Sequence, residues 1–359
     1  MEKTQKLKST FSHYYFAHLH TVFQQWTDLS DEIIGYAGTG GPALGIQLQQ
    51  DLLSEIIVNH TSSKFPVSKV HQRRVAQWLS DLCQELNWTL LPEFQTWMDR
   101  DPHLREPDHI FKTYEYSNDS GVRVVLLEEN RDPLGQGTTG LISWQGACML
   151  GAWFETFGDQ LEGKRILELG SGLGLFGMSL LKQRHVKSYY FTDCHPKVLS
   201  FLQLNYELNF TDKGMIGQND LDQWIETPPQ IMPGTSKADS SCVHIQKLDW
   251  TDFNIQDMPE VDVILGSDLV YSVELLPNLA KVIRMALSKS SDEHSKAIIS
   301  CTQRNHDHLE QFLNCLRKEA LDYCVLTRRT FNPNENMLIH HEPFKPIILY
   351  EIKLDQHAK

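Results

Sequence analysis

The chain has 359 residues, 41% of them apolar and 22% charged, with a formal net charge of −13. This length suggests about two domains with an ample core, and the acidic balance argues against broad binding to nucleic acid or to an anionic membrane. The seven cysteines include no Cys-x-x-Cys pair, which speaks against a disulfide frame or a zinc site and for reduced thiols in a cytoplasmic setting.

Met1 to Thr10 is polar and lysine-rich, with no apolar stretch of the kind a secretory signal needs. From about Leu7 to Met98 the apolar residues recur at helical spacing. One stripe runs Phe11, Tyr14, Tyr15, Leu19, Val22, Trp26. Others run Leu48, Leu52, Ile56 and Val75, Trp78, Leu79, Leu82. A glycine-rich break falls at Gly35 to Gly45, and Pro66 stands where a helix can begin. The expectation is an α-helical N-terminal domain over residues 1–100, its stripes forming core.

Asp99 to Pro107 is polar and holds two prolines, as a linker would. The second domain then covers 101–359. A β-hairpin within 108–130 pairs Phe111–Tyr116 with Val122–Glu128. A loop from Gly135 to Trp144 leads into a helix, Gln145 to Phe157. From Arg165 strands and helices alternate. The strands are Arg165–Leu169, Ser188–Thr192, Val243–Asp249, Val261–Gly266 and Ala297–Thr302, and the helices are Leu175–Gln183, Pro196–Asn209, Ser272–Ser288 and Asp307–Ala320. Such alternation predicts an α/β fold, a doubly wound, mostly parallel Rossmann-like sheet with right-handed crossovers. Two late strands, Cys324–Thr330 and Ile347–Leu354, lack a long helix between them and suggest one antiparallel member at an edge. Thr227 to Ser241 is rich in Pro, Gly and Ser and reads as a mobile surface loop. No span is apolar enough for a membrane helix, and nothing demands more than a monomer.

Ligands of such sheets bind at the carboxyl ends of the strands, and the chemistry-bearing residues gather there. Gly170, Gly172 and Gly174 form a tight turn between a strand and a helix, which leaves backbone N–H groups beside open space. Gly172, Gly174 and Gly177 also fit the dinucleotide pattern G-x-G-x-x-G, with Asp193 about 20 residues on, where an acid can accept from ribose hydroxyls. The turn alone therefore admits either a nicotinamide dinucleotide or S-adenosylmethionine, and a turn that merely packs a helix on a strand is the plainest alternative. Glu168, two residues before Gly170, separates the ligands: it repels a pyrophosphate and suits the cationic end of S-adenosylmethionine. Trp250 at the next strand end offers a surface for an adenine ring, with Asp249 near the exocyclic amine, although Trp is often simply core. Ser267, Asp268 and Tyr271 close the fourth strand; they are placed at the pocket mouth, or Ser267 and Asp268 cap the following helix.

Taken together, Glu168 to Gly174, Asp193, Leu248-Asp-Trp250 and Ser267-Asp-Leu-Val-Tyr271 resemble the seven-β-strand lysine methyltransferases. Gly137 to Trp144, Thr192 to His195, Thr302-Gln-Arg-Asn305 and Leu48 to Leu53 bring the resemblance nearest to those that act on elongation factor 2. It implies a seven-stranded methyltransferase sheet and S-adenosylmethionine as cofactor. Trp144, Gly170, Ser171, Gly172, Asp193, Trp250 and Ser267 would contact that cofactor. Asp268 and Tyr271 would flank the entering lysine, and elongation factor 2 would be the protein substrate. Ser267 stands where relatives often have Ala. Two other readings remain at this point. A dinucleotide-dependent oxidoreductase is opposed by Glu168 and by the lack of a hydride-transfer acid, and a non-catalytic adaptor would keep the fold and use the N-terminal helices for binding. There is no Gly-x-Ser-x-Gly elbow and no P-loop lysine. His306 with His308, and His340 with His341, lack a third metal ligand, so no metal site is expected.

Overall fold

The structure is a computed structural model that describes residues 2–16, 24–37, 41–58, 65, 67–115, 122–130, 137–211, 242–329 and 345–355. The expected mobile loop at 227–241 and the hairpin turn lie outside the described residues. The chain divides into two compact units, Met1–Asp132 and Pro133–Lys359. The hairpin therefore falls within the first unit, whereas the sequence had suggested that it opens the second.

In the first unit the described helices are α1 (Glu2–Phe16), α2 (Gln24–Ala37), α3 (Pro42–Val58), α4 (Lys69–Glu85) and α5 (Pro92–Met98). Gly35 lies inside the last turn of α2, so the break falls later than the first glycine. Of the expected stripes, Leu19 and Val22 lie outside the described residues; Phe11, Tyr15 and Trp26 are buried, and Trp78 lies against Phe11 and Trp26 at ring distances of 6.2 and 4.6 Å. Ser68 caps α4, its hydroxyl accepting from the His71 amide. Strands β1 (His109–Glu115) and β2 (Arg123–Glu129) pair antiparallel. Glu128 is buried between them, taking the Tyr114 hydroxyl at 2.6 Å and the Lys112 ammonium at 3.1 Å.

The second unit is a three-layer α/β structure built on a seven-stranded sheet. Its strands are β3 (Arg165–Leu169), β4 (Ser188–Asp193), β5 (Cys242–Lys247), β6 (Val263–Ser267), β7 (Lys296–Thr302), β8 (Leu321–Arg329) and β9 (Ile347–Leu354), in the order β5-β4-β3-β6-β7-β9-β8. The first five run parallel, and β9 runs antiparallel to both neighbours. The antiparallel member is thus one place in from the edge, and β8 holds the edge itself. The reason is that β9 carries buried residues on both faces, Ile347 to Tyr350, while β8 exposes Val325 and Leu326 and suits only an outer position.

Alternate residues of each strand serve opposite layers. Leu167, Leu169, Ile264, Ile299 and Cys301 face α9 (Leu276–Lys289) and α10 (His306–Lys318) in one core cluster. The other face carries Tyr189 and Phe191 beneath α6 (Gln145–Phe157), α7 (Leu175–Gln183) and α8 (Pro196–Phe210), with Phe154 edge-on to Phe176 and Phe191 edge-on to Tyr206. The helix expected from Ser272 begins instead at Leu276, after a 3-10 turn over Val273–Leu275, because Pro277 suits the first turn of a helix. At the amino ends of the strands, Arg165 grips Asp262, its backbone N–H and its Nε both donating to that carboxylate.

Candidate active site

The strand order reverses between β3 and β6: from β3 the chain moves out to β4 and β5, then returns to β6 and β7. The crevice above the carboxyl ends of β3 and β6 is where a doubly wound sheet binds its ligand. Two segments border it, the glycine turn after Leu169 and the Ser267–Asp268 corner.

Gly170, Gly172 and Gly174 all take left-handed backbone, with φ of 56°, 51° and 83°. A side chain would be strained at each. A Cβ at Gly174 would also lie 2.4 Å from Leu202 Cδ1, whereas one at Gly172 would meet nothing nearer than the Gly140 carbonyl at 3.4 Å. The turn is therefore packed from behind at Gly174 and open at Gly172, as a cradle for a ligand must be. Ser171 braces it, its hydroxyl donating to the Glu168 carbonyl while accepting from the Thr192 amide at 3.0 Å.

Asp193 closes the end of β4. One oxygen accepts from the Gly172 amide at 3.3 Å and the other from the His195 amide at 3.0 Å. Burial pushes its carboxyl above the usual range, and those amides oppose the push. A carboxylate has about four acceptor positions, so two amides leave room for a diol.

Glu168 does not open onto the crevice as its place at a strand end suggested. It is 2% exposed, on the sheet face beneath α7, and its carboxyl accepts from the Tyr189 hydroxyl at 3.0 Å. Burial pushes its pKa up to about 8, against the pull of the Tyr189 and Ser171 hydroxyls. It lies under the glycine turn, and its own carbonyl takes the Thr192 hydroxyl at 2.6 Å.

Trp250 stands past the end of β5, half-buried against the core, and its ring would be 3.5 Å from a Cβ on Gly170. It therefore borders the glycine turn. Asp249 is turned to its own loop, accepting from the Thr251 amide at 2.9 Å and hydroxyl at 2.7 Å, and these bonds hold it below the usual carboxylate range.

Ser267 ends β6 in register with Ser300 of β7. Asp268 follows with φ of 53° and is 9% exposed. It does not hold a free carboxylate at the crevice mouth. One oxygen accepts from the Gly146 amide at 2.9 Å and the other from the Thr302 amide at 2.7 Å, with Arg304 Nη1 3.4 Å away. Asp268 thus ties the first turn of α6 to the end of β7. Tyr271 is 48% exposed, and partial burial, with Cys194 and Asp193 nearby, raises its pKa. Trp144, the residue before α6, donates its indole N–H to the Thr139 carbonyl at 2.9 Å and carries the Arg304 guanidinium 4.8 Å above its ring.

The structure brings Trp250 to the glycine turn and joins Asp193 to Gly172, while Trp144 and Asp268 meet at Arg304. It separates Asp249 from that group by turning it to its own loop. Sequence reasoning gave no role to Arg304, Gly146, Thr302 or Tyr189. Arg304 was visible within Thr302-Gln-Arg-Asn305, but no local pattern says that its guanidinium reaches a carboxylate 36 positions earlier. Among the described residues no group of His, Cys, Asp and Glu could hold a metal ion, and no helix is long and apolar enough to cross a membrane.

A family model described as lysine methyltransferase matches residues 129–239 and 220–319, which together span just over half of the chain. The protein-lysine N-methyltransferase EEF2KMT of Bos taurus is 28% identical over 283 residues, covering 78% of this chain and 80% of that protein. Its namesake from Homo sapiens is 28% identical, over 57% of this chain and 58% of its own length, and that from Mus musculus 27%, over 64% and 63%. The chain thus spans four fifths of the bovine relative and about three fifths of the other two.

Proposed function

The chain belongs to the lysine methyltransferase family and is an S-adenosylmethionine-dependent protein-lysine methyltransferase; from that premise we propose that elongation factor 2 is its substrate. The substrate reading is supported by the names of the bovine, human and mouse relatives. The observation that carries the site is the glycine turn of three left-handed residues with Asp193 on the Gly172 amide and Trp250 beside Gly170.

These residues fit the cofactor. The turn is open at Gly172, Asp193 has acceptor positions left for a ribose diol, and the Trp250 ring offers a face for adenine. Ser171 and Ser267 contribute backbone at the two walls of the crevice, and Trp144 borders it. Glu168 supports the turn from below. Asp249 supports the Trp250 loop. S-adenosylmethionine supplies an electrophilic methyl group on a sulfonium.

The lysine nitrogen must arrive neutral and in line. The lysine would give its ammonium proton to water, and its lone pair would then receive the methyl group that the bound cofactor supplies, the C–S electron pair staying with sulfur. Asp268 and Tyr271 flank its path. With both oxygens bound by backbone amides, Asp268 acts as a fixed wall and not as the base that takes the proton. Much of the acceleration comes from alignment.

Purified protein with radiolabelled S-adenosylmethionine is expected to label elongation factor 2, and mass spectrometry to place the methyl on a lysine. A lysate in which another band takes the label, and elongation factor 2 none, would refute the substrate. Asp193→Ala is expected to weaken S-adenosylmethionine binding about tenfold by calorimetry, the cost of one hydrogen bond to a charged acceptor.

A further inference from the structure

Arg304 follows β7 and sits between two residues of the site. Its Nη1 is 3.4 Å from Asp268 Oδ1, and its guanidinium lies 4.8 Å from the centre of the Trp144 ring. Its own amide donates to the Thr302 carbonyl at 2.8 Å, which fixes the backbone that presents it. Asp268 is almost wholly buried, so its charge is poorly screened and acts strongly on anything beside it.

A bare buried carboxylate at this point would work against the reaction. It would attract a lysine ammonium and then hold it protonated, because a neighbouring negative charge raises an amine's pKa. The attacking group must be the neutral amine. A guanidinium on the same carboxylate corrects this. Its positive charge, 3.4 Å from the Asp268 carboxylate, offsets that carboxylate's field. It also lies over the Trp144 ring, a cation–π contact.

We propose that Arg304 is a positioning residue for methyl transfer: it offsets the charge of Asp268 and braces Trp144, so that a lysine amine arriving beside Asp268 reaches its neutral, nucleophilic form. This rests on the site described under Proposed function.

Among the described residues several other groups surround this point. From the first turn of α6 come Trp144, Gln145 and Gly146, none ionisable. From β7 comes Cys301, whose thiol is pushed well above its ordinary value by burial and by Asp268, with Arg304 opposing. From β8 comes Arg328, which donates to Gln303 Oε1 at 2.6 Å. Tyr271, in the turn after Asp268, is raised above 10. Under the glycine turn Glu168 is pushed up to about 8 by burial, so a limb that stays in place in all three proteins belongs to it, and only a limb that moves with residue 304 reports the substrate amine.

The test measures total protein-bound methyl label from a cell extract between pH 6.5 and 9.5, for the wild type, Arg304→Gln and Arg304→Lys. Affinity for S-adenosylmethionine is measured in parallel. In the wild type the rate rises with pH as the amine is freed. Arg304→Gln is expected to move that rising limb up by about one pH unit, with about a tenfold loss at pH 7.5. Arg304→Lys, which keeps the charge without the planar face, is expected to return the limb to within a few tenths of a unit while leaving a lower plateau. A lower plateau with an unmoved limb in Arg304→Gln would overturn the inference and leave the site intact. A moved limb with the label on a protein other than elongation factor 2 would uphold the inference and overturn the substrate. No label from the wild type at any pH would overturn both.

Discussion

Asp268→Ala is expected to lower the stability of the second unit by about 3 kcal/mol, seen as a fall of about 10 °C in its unfolding midpoint. Three losses combine. The Gly146 and Thr302 amides would be left buried without an acceptor, each at a cost of about 1–3 kcal/mol if nothing replaces it. Arg304 would lose its nearby carboxylate. The backbone at 268 is left-handed, with φ of 53°, which costs about 1 kcal/mol for Ala but little for Asp or Asn. Asp268→Asn should recover part of the stability. Its carbonyl can accept from one amide, but its NH2 must face the other donor. Thermal melts of the two variants beside the wild type check this. If Asp268→Ala melts with the wild type and loses only turnover, the carboxylate is a chemical group and not a structural tie. The expected result is the reverse: turnover falls with the fold of the crevice.

Glu168→Gln should change how stability depends on pH. In the folded protein the Glu168 pKa stands at about 8 because the carboxyl is buried; in the unfolded chain it is near 4.5, its ordinary value. The folded state therefore holds a proton that the unfolded state releases between those values. The stability this group contributes is fully present below about pH 4.5 and is lost as pH rises through about 8. The upper limit of the loss is roughly 5 kcal/mol. A glutamine carries no proton to lose and can still accept from Tyr189. The wild-type midpoint should therefore fall between pH 5.5 and pH 8.5 by several degrees more than the Glu168→Gln midpoint. Parallel curves for the two proteins would mean that Glu168 is ionised in the fold, with its charge met by something other than Tyr189.

The alternation of strand and helix from Arg165 was legible because each strand is a short apolar run and each helix carries a stripe. The β3, α7 and β9 bounds fell where periodicity put them. The position of β9 was not legible, because two strands joined by a loop can fit a sheet edge in either order, and burial on both faces decides between them. At the site, the glycine turn and Asp193 were legible through local spacing. The roles of Glu168 and Asp268 were not. A carboxylate at a strand end reads as exposed until its partners are known, and those partners come from elsewhere: Tyr189 from the neighbouring strand, Gly146 from a helix 122 positions away in sequence, Thr302 from the next strand. Hydrogen bonds across such separations leave no periodic trace.

The placement of β9 between β7 and β8 bears on how a nascent chain acquires this fold. Both flanking strands leave the ribosome before β9, yet neither is hydrogen-bonded to the other. Until residues Ile347–Leu354 emerge, β7 is a raw edge whose two faces carry residues the finished fold buries, and β8 has nothing to pair with. The parallel half, β3 to β7, can assemble during translation, but the sheet closes only when the last strand slots between two that are already made. That step joins distant parts of the chain and is slow for that reason. A ribosome stalled before Ile347 would present an open edge beside an otherwise finished cofactor crevice, a species for chaperones to hold.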